Sequence, residues 1–132
     1  MSTPRFRFPK SSRLYLRKEI NELITSGKTV HFTPLKVFYL VLPATDFPLK
    51  MAVAVPKRNF KLAVDRNRIK RQIREAYRLN CQDAIQYFKE KGVTVHILLV
   101  YNSKTPHDYV ELKSKIILIL QRLQEVHEKN SY

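Results

Sequence analysis

Three short runs of apolar residues constrain the fold of this chain more than any other feature of its sequence. They are LKVFYLVLP at 35–43, LKMAVAVP at 49–56 and VTVHILLVY at 93–101, and they are rich in β-branched and aromatic residues. This composition is typical of β-strands. A turn that contains proline and aspartate separates the first two runs, which predicts that they pair as antiparallel neighbours. A further short strand is predicted from Val30 to Phe32.

Helical periodicity accounts for most of the remaining chain. A first helix is predicted from about Arg17 to Thr25, with Gly27 as its terminating residue. A long helix is predicted over about 62–80 and, after a break, up to residue 92. The last helix opens with Asp108, which has the spacing of a capping box with Glu111, and is predicted to end at about 127.

The order of these elements predicts an α+β fold. A single-layer, mostly antiparallel four-stranded sheet would pack with three or more helices. At 132 residues the chain is long enough to bury one hydrophobic core, so a single domain is predicted over residues 1–132. Residues 1–12 contain Pro4 and Pro9, which predicts a flexible, extended arm.

The charge of the chain indicates a polyanionic partner. Twenty-five Lys and Arg residues face eleven Asp and Glu residues, a formal net charge of +14. Nucleic acid is the leading partner class, and an anionic membrane surface is second. The single cysteine, Cys81, suits a reducing compartment, and the longest apolar run, VFYLVL, is too short to span a bilayer. We therefore expect a cytoplasmic protein with no membrane partner and no obligate protein partner.

The segment DRNRIKRQIREAYR, residues 65–78, concentrates five arginines and a lysine on one predicted helix. At about 100° per residue, one stripe is apolar and suits packing on a sheet: Leu62, Ile69, Ile73, Ala76 and Tyr77. The opposite side carries what we call the arginine ridge: Asn67, Arg71, Arg74 and Arg78, with Arg66 and Lys70 on its flank. Like charges four residues apart destabilise an isolated helix, and arginine can engage phosphate bidentately. The pattern therefore favours a nucleic-acid-binding surface over a merely solvated face.

Alternation along the first long strand separates two further sets of side chains. Leu35, Val37 and Tyr39 are predicted to face one side of the sheet, and Lys36, Phe38 and Leu40 the other. An aromatic residue in a strand is more often part of the core than a ligand contact.

The stretch VPKRNFKLAVDRNRIKRQIREAYR, residues 55–78, closely resembles the signature of the bacterial ribonuclease P protein subunit, and RNRIKRQIRE is its most specific part. The resemblance implies an accessory subunit of an endoribonuclease in which an RNA is the catalyst. That RNA uses Mg²⁺, held mainly by the RNA itself, to cleave precursor tRNA at its 5′ end. The resemblance also implies a left-handed βαβ crossover. The expected partners are the catalytic RNA and precursor tRNA, and no catalytic residue or metal site is expected in the protein.

The resemblance also assigns residues to two surfaces. Contacts to the catalytic RNA fall on Lys57, Arg58, Arg66, Asn67, Arg68, Lys70, Arg71 and Arg74, and the neighbouring cations add Lys61 and Arg78. The 5′ leader is expected in a cleft between the first helix and the sheet, lined by Ile20, Ile24, Lys36 and Phe38, with Tyr39 in place of Phe38 if the strand register differs by one. Ile20 and Ile24 depart from the family, which usually has aromatic residues on this helix. The loop 59–61 also lacks a common glycine, and Tyr101 and Asn102 replace the usual basic residues.

Three other functions account for the pattern less well. A structural RNA-binding protein of the ribosomal type would use the same charge and arginine ridge, and would need no leader cleft. An autonomous nuclease is disfavoured because the four aspartates and four histidines are scattered and form no short motif. A DNA-binding helix-turn-helix is disfavoured because strands, rather than a helix, precede the arginine segment.

Overall fold

A computed structural model describes residues 17–130 of the chain. The arm predicted at residues 1–12 lies outside the described residues. Within them, four helices and four strands follow one another in this order: α1 (Arg17–Ser26), β1 (Lys28–Phe32), β2 (Leu35–Pro43), β3 (Leu49–Ala54), α2 (Ala63–Asn80), α3 (Gln82–Lys91), β4 (Val93–Tyr101) and α4 (Tyr109–Asn130). The α+β class is confirmed, and each predicted helix and strand is present with small shifts at its ends.

The four strands form one mostly antiparallel sheet in the order β1-β2-β4-β3. β1 and β4 each pair antiparallel with β2, whereas β3 pairs parallel with β4. The predicted antiparallel pairing of 35–43 with 49–56 is therefore wrong, because β4 lies between these two strands. β4 is buried without interruption from Thr94 to Leu99, and a strand that is apolar on both faces gains most in the middle of a covered sheet. The parallel pair is joined through α2 and α3, the crossover that parallel neighbours require.

Two glycines end the helices next to the sheet. The Gly27 N–H donates to the Leu23 carbonyl oxygen at 2.9 Å, which closes the last turn of α1. A Cβ at Gly27 would lie 2.3 Å from the Leu23 oxygen and 2.8 Å from the Tyr39 carbonyl oxygen, so no larger residue fits where α1 meets β2. Gly92 ends α3 with a φ of 69°, in the left-handed region that glycine adopts readily.

The last helix begins as its sequence predicts. The Asp108 side-chain oxygen Oδ1 accepts a hydrogen bond from the Glu111 backbone N–H at 2.8 Å, which caps the first turn of α4. The Glu111 side chain pairs with His107 Nδ1 at 2.8 Å instead of returning to the Asp108 backbone. One of the two hydrogen bonds of the predicted capping box is therefore formed. The Glu111 side chain, which would form the other, pairs with His107.

The two faces of the sheet are covered unequally. α2, α3 and α4 bury one face, where Val37, Met51 and Ile97 belong to the main core. Of the helices within residues 17–130, only α1 packs on the other face, and its Leu23 is fully buried against Leu98. The alternation predicted for β2 is confirmed, because Leu35, Val37 and Tyr39 lie in the main core while Phe38 and Leu40 pack beside Leu23. Within residues 17–130, one face of the sheet is thus only partly covered.

Candidate RNA-binding surface

α2 buries most of the apolar stripe that its sequence predicts. Ile69, Ile73, Ala76 and Tyr77 are buried against the rest of the core. Leu62, predicted as part of the stripe, is 65% exposed, so its assignment to the buried face is wrong. The helix starts at Ala63, and Leu62 precedes it in an extended conformation, with φ −83° and ψ 128°. Leu62 is therefore not part of the helix, and helical spacing does not determine which way its side chain faces.

The arginine ridge is exposed over most of its length. Asn67, Arg71 and Arg74 are exposed on the side of α2 away from the core. Arg78 is only partly exposed and forms an ion pair with Glu75, in which Nε donates to Oε2 at 3.3 Å. The net positive charge of the ridge therefore lies mainly on the N-terminal and middle turns of α2. At its C-terminal end, the Glu75 carboxylate partly neutralises Arg78.

Arg66 braces the loop that precedes α2. Its Nη1 donates to the carbonyl oxygens of Phe60 and Lys61, at 2.7 Å and 2.9 Å. Lys57, Arg58 and Lys61 in and before this loop are exposed. Arg66 was predicted as an RNA contact, and the structure gives it a positioning role for neighbouring cations that sequence reasoning missed. No local sequence pattern signals a bond from a side chain to a preceding loop carbonyl.

Arg68 and Lys70 lie on opposite flanks of the helix. Lys70 is partly exposed beside the arginine ridge, as predicted. Arg68 is exposed and lines a cavity of about 430 Å³ between α2 and the start of α4. The ten predicted RNA-contacting residues therefore all lie on α2 or on the loop before it, and they face more than one direction.

Three of the four predicted cleft residues lie on the partly covered face of the sheet. Phe38 and Ile20 pack against the pair formed by Leu23 and Leu98. The Lys36 ammonium lies 5.0 Å from the centre of the Phe38 ring, on the same face. Ile24 is 48% exposed and is not part of this apolar cluster. The alternative position for the aromatic contact, Tyr39, lies in the main core on the opposite face.

Strand order adds residues to this face that the sequence alone did not identify. His31 is the cross-strand partner of Lys36, so a histidine lies beside this lysine at the edge of the sheet. On β3, Ala52 and Ala54 lie beside Leu98 and Val100. Their side chains are small, so this part of the sheet face projects less than the neighbouring part around Phe38. Ala52 and Ala54 could be assigned to this face only once β4 was known to lie between β2 and β3.

A buried histidine lies beneath α1. His96 on β4 is 6% exposed and pairs with Leu40 and Lys50 on the neighbouring strands. Burial lowers the pKa of His96, while the nearby carboxylate of Glu19 acts in the opposite direction. The Lys50 ammonium lies 4.0 Å from the Glu19 carboxylate, which links α1 to the edge strand of the sheet.

The described part of the chain contains neither a metal-binding cluster nor a membrane-spanning helix. Between residues 17 and 130, no three His, Cys, Asp or Glu side chains are grouped so that they could hold a metal ion. In the same range no helix is both long and apolar enough to cross a membrane.

The fold and the surface define a class of small, strongly basic α+β proteins, in which an arginine-rich helix crosses over one face of a four-stranded sheet. Within this class, the family model described as Ribonuclease P matches residues 8–124, and the chain belongs to that family. It is 48% identical over 80 residues to the ribonuclease P protein component of Porphyromonas gingivalis, a match that covers 60% of this chain and 58% of that protein. The match therefore spans less than two thirds of that relative.

A longer match supports the same family. The ribonuclease P protein component of Geotalea uraniireducens is 30% identical over 122 residues, covering 91% of this chain and 97% of the relative. The solved structure of the RNase P protein from Thermotoga maritima is similar in fold, with a TM-score of 0.66 at 21% identity over 83% of this chain and 96% of that one.

Proposed function

We propose that this chain is the protein subunit of ribonuclease P, an accessory subunit of an endoribonuclease whose catalyst is RNA. In this role it binds the catalytic RNA and the 5′ leader of precursor tRNA, and it supports cleavage at the mature 5′ end. Membership of the family supports the proposal. The observation that carries it is the exposed cationic surface formed by Asn67, Arg71 and Arg74 together with the loop that Arg66 braces.

Binding to the catalytic RNA would occur through the arginine ridge and the loop before α2. Arginine forks can donate two parallel hydrogen bonds to a phosphate, and lysines add charge without that geometry. If about seven phosphates are neutralised, the slope of log affinity against log salt is roughly −5 to −6. Because Arg66 holds the loop through two carbonyl oxygens, Lys57, Arg58 and Lys61 are presented to the RNA at a lower entropic cost than in a free loop.

Binding to the leader would occur on the partly covered face of the sheet. A base can stack on the Phe38 ring, which contributes about 1–3 kcal/mol per base and tolerates different sequences. The Lys36 ammonium beside that ring can contact the adjoining phosphate. Ile20 packs at the α1 side of this surface and offers apolar contact in place of stacking. The leader and the catalytic RNA would therefore use different elements of the protein.

Magnesium belongs to the RNA in this proposal. The chemistry that Mg²⁺ would supply there is activation of the attacking water and stabilisation of the leaving oxygen. The cations of the protein reduce repulsion between the leader and the catalytic RNA, so less Mg²⁺ is needed to assemble the complex. We infer a cytoplasmic location, where the substrate is made.

The decisive experiment is reconstitution. The purified protein is added to the ribonuclease P RNA of its own organism, and cleavage of 5′-labelled precursor tRNA is measured at low Mg²⁺ concentration. Strong stimulation is expected, with cleavage at the mature 5′ end and none by the protein alone. Absence of stimulation despite tight, salt-sensitive RNA binding would instead favour a structural RNA-binding protein of the ribosomal type.

A further inference from the structure

A cavity separate from the arginine ridge opens between the first turns of α2 and the start of α4. Its volume is about 430 Å³, within the range of about 300–1,000 Å³ that is usual for small-ligand sites. We propose that it binds one unpaired guanine of the catalytic RNA, an inference that rests on the proposed function. Base recognition at this position would add sequence specificity to a surface that otherwise recognises phosphates.

One wall of the cavity carries polar groups that have no partner in the described protein. Asp65, Arg68 and Gln72 line this wall, and their i, i+3, i+7 spacing places them on one side of α2. Among residues 17–130, the side chains of these three residues make no hydrogen bond or ion pair. A carboxylate, a guanidinium and a carboxamide therefore remain available to a ligand.

The remaining walls are engaged in internal contacts and are mainly apolar or aromatic. The Phe60 ring lies 5.8 Å from that of Tyr101, which in turn lies 6.0 Å from the His107 ring. His107 pairs with Glu111, and the Asp108 carboxylate caps α4. These contacts hold the wall in place and engage the side chains of His107 and Asp108. The groups that remain for ligand recognition are the three unpaired side chains on α2, with the Tyr109 hydroxyl on the opposite wall.

Guanine matches these groups better than the other bases. Unpaired RNA bases are commonly stacked on aromatic side chains and read along their Watson–Crick edge. An ionised carboxylate only accepts hydrogen bonds, and guanine offers two adjacent donors on that edge, N1–H and the N2 amino group. Gln72 can donate to the neighbouring O6, and Arg68 can bind the phosphate of the same nucleotide. The Arg68 charge in the same wall opposes occupation by a bare cation.

Asp65→Asn distinguishes binding of guanine in the cavity from general electrostatic attraction, because the two predict opposite changes in RNA affinity. The change raises the net charge by one, so a purely electrostatic interaction with RNA becomes tighter. Loss of a carboxylate that binds guanine weakens binding instead, by about 5- to 160-fold, as expected for losing one bidentate base contact. The matched control is Asp83→Asn, because Asp83 is also an exposed acid in the first turn of a helix but lies on α3, away from the cavity.

The experiment measures binding of the full-length protein to ribonuclease P RNA at fixed salt, with kethoxal probing of the complex. Kethoxal modifies unpaired guanines at N1 and N2. We expect one guanine to be protected by the wild-type protein and by Asp83→Asn, and to react when Asp65→Asn is bound. A second variant, Gln72→Ala, leaves the charge unchanged and should weaken binding in the same direction.

Two outcomes would overturn the inference. If the wild-type protein stimulates cleavage but Asp65→Asn binds the RNA as tightly as Asp83→Asn does, the cavity does not read a base and the proposed function stands. An unchanged kethoxal pattern with Asp65→Asn leads to the same conclusion. If the wild-type protein neither binds the RNA nor stimulates cleavage, the proposed function and this inference are both overturned.

Discussion

The guanidinium of Arg66 donates a 2.7 Å hydrogen bond to the carbonyl oxygen of Phe60, so the first turn of α2 holds the loop through which the chain enters that helix. A second bond from the same nitrogen reaches Lys61. The most basic helix of the protein thus uses one of its arginines to organise cations that lie outside the helix. Stability and RNA binding are therefore coupled at this residue.

Replacing Arg66 by alanine should reduce both properties. Loss of two charge-assisted hydrogen bonds at a partly exposed site is expected to lower the free energy of unfolding by about 1–2 kcal/mol. Urea denaturation followed by circular dichroism measures this change, and a filter-binding titration measures RNA affinity. The control variant Arg66→Lys keeps the charge and should recover only part of the stability. Unchanged stability in Arg66→Ala would show that the loop does not depend on this contact.

Arg71→Ala should affect RNA binding alone. Arg71 is exposed on the arginine ridge, so its removal should change stability by less than about 0.5 kcal/mol. RNA affinity should fall, and the salt slope should become shallower by about 1 because one phosphate contact is lost. Arg74→Ala is expected to lower RNA affinity and the salt slope by similar amounts. Titrations at several salt concentrations test both variants, and an unchanged slope would place these arginines outside the RNA interface.

Phe38→Ala should weaken substrate binding more than subunit assembly. The ring lies on the partly covered face of the sheet, away from α2, and stacking on a base contributes about 1–3 kcal/mol. Affinity of the holoenzyme for precursor tRNA with a leader should therefore fall by about 5- to 160-fold. Mature tRNA, which has no leader, provides the control substrate. Equal effects of Phe38→Ala and Arg71→Ala on both binding steps would contradict the existence of two separate surfaces.

Gly27→Ala should destabilise the protein far more than Gly92→Ala. A Cβ at Gly27 would overlap the backbone carbonyl oxygens of Leu23 and Tyr39, so α1 must move from the sheet. We expect a loss of about 2 kcal/mol or more. At Gly92 no atom lies within 4 Å of the added Cβ, and the cost is about 1 kcal/mol for the left-handed backbone alone. Chemical denaturation of the two variants compares these losses, and equal losses would contradict the close contact at Gly27.

Stability should fall as the pH is lowered from 7 toward 5. Burial lowers the pKa of His96 below its usual value of about 6.5, so the unfolded chain binds the proton more readily than the folded one. The free energy of unfolding then decreases as the pH falls through the unfolded pKa, by at most about 1.4 kcal/mol per pH unit for one proton. Denaturation curves across this range measure the slope. His96→Gln should flatten it, whereas His31→Gln, at an exposed strand position, should not.

Much of the local structure was predictable because it depends on neighbouring residues. Alternation assigned Val37 and Phe38 to opposite faces of the sheet, as observed. Gly27 and Asp108 mark helix ends through backbone geometry and capping, which act within one turn of the chain. The contents of the arginine ridge also follow from helical spacing, although the pairing of Arg78 with Glu75 was not anticipated.

Other features required the assembled molecule. Nothing in a turn between two strand-like runs reveals that a strand about 40 residues later will separate them, yet β4 lies between β2 and β3. The same insertion places Ala54 on the sheet face that His31 and Lys36 already share through the pairing of β1 with β2.

The sequence by itself determined the helices and strands, their buried sides, the basic character of α2 and the family. These properties arise from backbone periodicity and from interactions between residues close in the chain. Only the tertiary structure decided which strands are neighbours, that Arg66 braces a loop, that Leu62 is exposed, and that Asp65, Arg68 and Gln72 line a cavity against α4. Those features depend on how distant segments bury their apolar surfaces together, and no short stretch of sequence encodes that outcome.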